Sequence, residues 1–151
     1  MAYFQDLIPG NHCFGCGPDN SYGLKIKSRW LDDKRSECLF MPEAHHCSGP
    51  LAYVNGGILS TLLDCHCICT AIAEGYRLEN REIGSGEPIW YVTGSMQIAF
   101  LKPTPISKTL HAIAEVGDMN GRKLDVSAEI YADGELVAKG KVLAVRVEAD
   151  W

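Results

Sequence analysis

Residues 57–73, GILSTLLDCHCICTAIA, constrain this chain more than any other stretch. The run is apolar on nearly every helical face and holds no proline. A helix that is hydrophobic all round belongs inside a protein rather than on its surface. At 1.5 Å per residue it spans roughly 25 Å, about the width of a small domain. Everything else in the chain must therefore wrap around one central rod.

The flanking segments have the right pattern for wrapping. Between Gly23 and Leu31, apolar Leu24, Ile26 and Trp30 alternate with polar residues, and that period of two marks a half-buried strand. Asp32-Asp33-Lys34 makes a turn, and Arg35 to Met41 forms the hairpin partner. Residues 42–55 are a loop punctuated by Pro42, Gly49 and Pro50, and residues 74–89, polar and glycine-bearing, are an exposed connection. Further strands are expected at Trp90–Leu101, Thr109–Asp118, Lys123–Tyr131 and Glu135–Val147. Met119-Asn120-Gly121 and Ala132-Asp133-Gly134 join the last three, and Asn-Gly and Asp-Gly favour two-residue hairpins. The order predicts an α+β fold, an antiparallel sheet of five or six strands around one long helix. A chain of 151 residues makes this a single domain, 1–151. The free sheet edges predict a homo-oligomer.

A net charge of −5 argues against nucleic acid, since phosphate neutralisation needs clustered Lys and Arg. The N-terminus lacks a basic start followed by an apolar segment, so no secretory signal is expected. No stretch approaches the ~18 uninterrupted apolar residues of a membrane span. Seven cysteines, an odd number, suit reduced thiols in a cytoplasmic location.

Asp64 sits mid-run between Leu63 and Cys65. A buried carboxylate costs several kcal/mol unless it is bonded or paired, on the order given by mutational data. One reading is structural, with Asp64 bonded back to Ser60 or Thr61 or to a partner helix; the other is catalytic, and the apolar surroundings favour it. Asn55-Gly56-Gly57 opens the helix, where unsatisfied N–H groups at the positive end of the dipole can form an oxyanion hole. Eight residues put Gly56 and Asp64 on the order of 12 Å apart, too far to share one carbonyl. A two-fold dimer would bring Asp64 of one subunit to Gly56 of the other.

These features, taken with three motifs in order, resemble the hotdog thioesterases of the PaaI type over nearly the whole chain. The first motif is Cys13-Phe14-Gly15-Cys16-Gly17-Pro18-Asp19-Asn20 with Gly23-Leu24. The second runs from His46 through Gly49-Pro50 to Gly56-Gly57-Ile58-Leu59-Ser60-Thr61-Leu62-Leu63-Asp64, and the third is Thr93-Gly94-Ser95-Met96-Gln97-Ile98 into Leu101-Lys102-Pro103. The resemblance implies a hotdog fold and hydrolysis of acyl-CoA by a dimer or a dimer of dimers. It implies Gly56 as oxyanion donor supported by Gly57, Asp64 as base or nucleophile, Thr93 as a positioning group and His46 in the pocket loop. Asn55 stands where the family usually has His; it can hold the loop but cannot titrate near neutral pH. A non-catalytic acyl-CoA binder is therefore the alternative. A hydratase or dehydratase needs a His with an acid, and the helix start offers none.

No cofactor is expected beyond the coenzyme A of the substrate, whose phosphates Lys102, Arg122 and Lys123 are candidates to meet. Cys13-x-x-Cys16 with His12, His45, His46 and Cys47 has the residue types of a zinc site, but the second half lacks ligand-pair spacing, so no metal is expected. Cys65, Cys67 and Cys69 read as packing residues. His66 reads as a satisfied interior or interface histidine.

Overall fold

The computed structural model describes residues 2–148; Met1 and residues 149–151, the ends of the expected 1–151 domain, lie outside it. A four-residue helix, α1 (Phe4–Leu7), leads into β1 (Ser28–Trp30) and β2 (Arg35–Phe40). A 3-10 turn at Ala44–His46 precedes the central helix α2 (Gly56–Leu78). Four strands follow: β3 (Trp90–Phe100), β4 (Leu110–Asn120), β5 (Lys123–Ala132) and β6 (Glu135–Val147). All pairings are antiparallel, in one sheet ordered β1-β2-β4-β5-β6-β3. The fold is the expected hotdog, a six-stranded sheet wrapped around one helix.

Alternation builds the sheet's inner face. Along β5, Leu124, Val126, Ala128, Ile130 and Ala132 are buried while the intervening residues point outward. Ala112 and Ala114 of β4 and Ala138 and Ala144 of β6 share that face, and these small side chains leave room for the helix. Leu62, Leu63 and Ile72 of α2 fill it, each at most 1% exposed.

Three sequence expectations need correction. The helix is a turn longer than residues 57–73 and continues to Leu78, so residues 74–78 leave the exposed connection. Their polar atoms are satisfied locally: Arg77 chelates the Glu74 carboxylate, and the Tyr76 hydroxyl accepts the Ile89 N–H at 3.1 Å. At 23 residues the helix is long and apolar enough to cross a membrane by length and composition, yet most of it lies inside the sheet. Of the strand expected over 23–31, only Ser28–Trp30 pairs, because Lys25 adopts φ 59° and the chain bends there. In the β4–β5 hairpin the central residues are Gly121-Arg122 rather than Asn120-Gly121, since Asn120 pairs with Lys123. Gly121 supplies the positive φ that a type II′ turn needs at its first position. The β5–β6 turn is Asp133-Gly134, both with positive φ, the type I′ pattern.

His66 is fully buried and ties the helix to the first hairpin. Ser28 Oγ lies 2.7 Å from its Nδ1, and Ser36 Oγ lies 3.3 Å from its Nε2. Burial lowers its pKa to about 4, so the ring is neutral at ordinary pH.

Candidate active site

α2 and β3 run antiparallel to one another, and two contacts fix their register. At one end, Thr93 Oγ1 donates to Asp64 Oδ1 at 2.5 Å. At the other, Phe100 lies against Gly56, where a Cβ would sit 3.5 Å from the ring. Asp64 is half-buried, and Thr93 is exposed on the outermost strand of the sheet. A bulge between Thr93 and Ser95 kinks β3 there, and bulges of this kind re-aim side chains.

Back-bonding to Ser60 or Thr61 does not occur. Ser60 Oγ donates to Gly56 O and Thr61 Oγ1 to Gly57 O, both at 2.9 Å. Asp64 therefore has Thr93 as its side-chain partner. Burial raises the carboxyl above the ordinary aspartate range, and the Thr93 hydrogen bond partly offsets this.

Asn55 is the helix N-cap. Its Oδ1 accepts the Gly57 N–H at 2.7 Å, and its own N–H donates to His46 O at 2.9 Å. Gly57 N–H is thus consumed by the cap, whereas Gly56 N–H meets no acceptor among the described residues. One free donor remains, at the positive end of a 23-residue helix. His46 is buried and braces this start: Nδ1 accepts the Glu43 N–H at 3.0 Å and the ring stacks on Phe40. Burial lowers its pKa, so it serves as a neutral acceptor.

Two cavities flank the helix start. One, about 580 Å³, is lined by Gly56, Leu59, Phe100, Lys102 and Thr104. Thr104 went unnoticed in the sequence; its hydroxyl is buried without a partner among the described residues. The other, about 540 Å³, lies between Phe14, Tyr22, Leu24, His46, Asn55 and Ile58. A groove of about 630 Å³ on the outer sheet face, near Arg35, Glu115 and Glu129, shares no residue with either.

The three basic candidates do not gather in one chain. Lys102 N–H bonds Val137 O at one end of β6, while Lys123 pairs with Val145 near the other, about 26 Å along a strand. Lys102 is ion-paired with Glu135, and Arg122 donates to Arg146 O at 3.0 Å. Lys123 is exposed.

Cys13 and Cys16 stay together, but the histidines near them in the sequence have partners of their own. His12 Nδ1 donates to Gly10 O at 3.0 Å, His45 pairs with Glu43, and His46 stacks on Phe40. Cys65, Cys67 and Cys69 are all buried in the core, and Cys65 and Cys69 also face Cys13 and Cys16. Their i, i+4 spacing on one helix face was the signal available in the sequence.

Comparison with known proteins gives a consistent fold. No protein-family model matches the chain. The rat protein acyl-coenzyme A thioesterase THEM4 is 25% identical over 118 residues, 78% of this chain; the chain spans 45% of that relative's length. A thioesterase superfamily protein from Shewanella loihica PV-4 superposes with a TM-score of 0.66 at 27% identity, covering 85% of this chain and 96% of that one. PaaI of E. coli, from the phenylacetic acid degradation operon, aligns with a TM-score of 0.65 over 82% of this chain and 80% of its own. At 21% identity that last likeness speaks for the fold alone.

Proposed function

We propose that this chain, a member of the PaaI-type hotdog thioesterase family, hydrolyses an acyl-CoA thioester in a site shared by two subunits. The antiparallel register of α2 against β3 carries the reading. β3 is an edge strand of 11 residues, and Thr93 to Gln97 are exposed along it. If two copies pair β3 to β3 about a two-fold axis near Met96–Gln97, Thr93 falls opposite Phe100 of the partner subunit. Because Asp64 sits at Thr93 and Gly56 at Phe100, Asp64 then faces Gly56 of the partner subunit. The 12 Å problem within one helix disappears.

In that arrangement the Gly56 N–H, left free by the Asn55 cap, holds the developing oxyanion. Asp64, oriented by Thr93 and raised by burial, takes a proton from water as the water oxygen bonds the carbonyl carbon. The C–S bond then breaks, and the CoA thiolate leaves with the proton returned by Asp64. Direct attack by Asp64 on the carbonyl is the variant route. Asn55 needs no titration here; its work is to cap and orient the helix start. Lys102, beside the Gly56 cavity, and Arg122 with Lys123, near the Thr93 end, are the cations available to CoA phosphates from the two subunits.

Free CoA released from short, long and aryl acyl-CoAs, separated chromatographically, tests the proposal. Wild type should turn over at least one, and Asp64→Asn should lose most of that rate. Binding of acyl-CoA without CoA release would instead identify a non-catalytic binder, and unaltered turnover in Asp64→Asn would remove the assignment.

A further inference from the structure

Four of the seven cysteines converge where the N-terminal loop crosses α2. Cys13 Sγ lies 3.7 Å from Cys65 Sγ, and Cys16 Sγ lies 3.6 Å from Cys69 Sγ. The sulfurs of Cys13, Cys16 and Cys65 all fall within 4.8 Å of one another. A tetrahedral zinc tetrathiolate, with Zn–S about 2.3 Å, has sulfur–sulfur edges of about 3.8 Å. The Cys13–Cys65 and Cys16–Cys69 contacts match that edge, and Cys69 joins the three-sulfur group through Cys16. Both contacts are far longer than the roughly 2.05 Å of a disulfide.

The sequence supplies two ligand pairs of the right kind. Cys13-x-x-Cys16 forms a tight turn, closed by the Gly17 N–H donating to Cys13 O at 2.8 Å. Cys65 and Cys69, at i and i+4, project from one face of the helix. Cys67 between them is fully buried and makes no sulfur contact among the described residues.

The surroundings hold the pairs together. Leu24 N–H donates to Phe14 O and Ile26 N–H to Gly15 O, which clamp the turn from its far side. Gly15 lies so close to the helix that a Cβ would sit 2.2 Å from Cys65 Sγ and 2.8 Å from Thr61 Cγ2. Only glycine lets the loop rest there. Buried Asn11 accepts the Cys13 N–H and donates from Nδ2 to Cys16 Sγ at 3.6 Å, the outer-shell support a thiolate ligand needs. Apolar packing alone does not account for a polar amide aimed at a sulfur. Cys13 is exposed, which leaves a route for a cation to enter.

We propose that Cys13, Cys16, Cys65 and Cys69 form a tetrathiolate site for a thiophilic divalent cation, zinc, which pins the N-terminal loop to the central helix beside Asp64. The four thiols release their protons to solvent on binding. The proposal does not depend on the catalytic reading.

Chain purified under reducing conditions with zinc in the medium should carry one zinc per chain by elemental mass spectrometry. Titration of the demetallated chain with Co²⁺ should produce the visible bands of a tetrahedral tetrathiolate, bleached by added Zn²⁺. Cys13→Ser, at the exposed ligand and so least disturbing to folding, should shift those bands, and Asn11→Ala should weaken binding about tenfold. Cys38→Ser and Cys67→Ser should leave both unchanged. Zinc well below one per chain with no cobalt bands from wild type would overturn the site. So would an intact mass showing linked cysteine pairs in place of metal, or Cys67→Ser shifting the bands as Cys13→Ser does.

Discussion

The Thr93 hydroxyl donates a 2.5 Å hydrogen bond to Asp64 Oδ1, joining the middle of the central helix to the free edge of the sheet. The bond orients a carboxylate that burial has made more basic than usual. It also puts that carboxylate beside β3, the longer of the two edge strands of the sheet.

Thr93 should therefore matter to turnover more than to binding. Thr93→Val is expected to lower kcat roughly 10- to 100-fold, the scale of a misoriented catalytic group, with a much smaller change in KM. Thr93→Ser, which keeps the hydroxyl, should recover most of the rate. Steady-state kinetics on the best acyl-CoA provides the check, and equal rates for Val and Ser would separate Thr93 from the chemistry.

Gly56 occupies the first helical position, where proline is well tolerated and the N–H has no helical acceptor. Asn55, at φ −61° and ψ 137°, already has the extended backbone that a following proline demands. Gly56→Pro thus deletes the proposed oxyanion donor while keeping the helix. Its kcat should fall about 10²- to 10³-fold with little change in urea midpoint. A folded Gly56→Pro protein with full activity would assign the oxyanion to another donor.

Met96 sits at the middle of the exposed edge, near the proposed two-fold axis. Met96→Glu puts one charge from each subunit into the proposed β3–β3 seam beside that axis and should convert the proposed dimer to monomer, as read by light scattering. Turnover should fall in parallel, because each proposed site borrows Gly56 from the partner subunit. A fully active monomer would contradict the shared site.

Acid should weaken the loop that precedes the helix. Burial, reinforced by neighbouring His45 and opposed by Glu43, holds His46 below the ordinary histidine pKa of about 6.5. The unfolded chain then takes up the proton first as pH falls, so stability is fully present above about pH 6.5 and lost below it. His66, buried and neutral, acts in the same direction. Urea midpoints of wild type and His46→Gln, compared between about pH 7.5 and 5.5, isolate the His46 share: the variant should show the shallower decline.

Much of this was legible in the chain. The all-apolar run required an interior helix, the period of two in Lys123–Tyr131 and Glu135–Val147 required half-buried strands, and Asp133-Gly134 required a tight turn. Asp64 stood out because a carboxylate is costly in such company. The end of the helix was not legible, because Glu74 and Tyr76 read as surface until Arg77 and Ile89 are seen to satisfy them. Nor was the brevity of β1, whose alternating residues run past a backbone bend at Lys25.

Local periodicity determined the elements, since each pattern is written within a few neighbouring residues. Only the tertiary structure decided which distant groups meet. It set Thr93 against Asp64, gave the Gly57 N–H to Asn55 while leaving that of Gly56 free, and laid Cys13 and Cys16 over Cys65 and Cys69. Those contacts depend on the register between a helix and the segments packed on it, a property of the packed core that no single segment encodes.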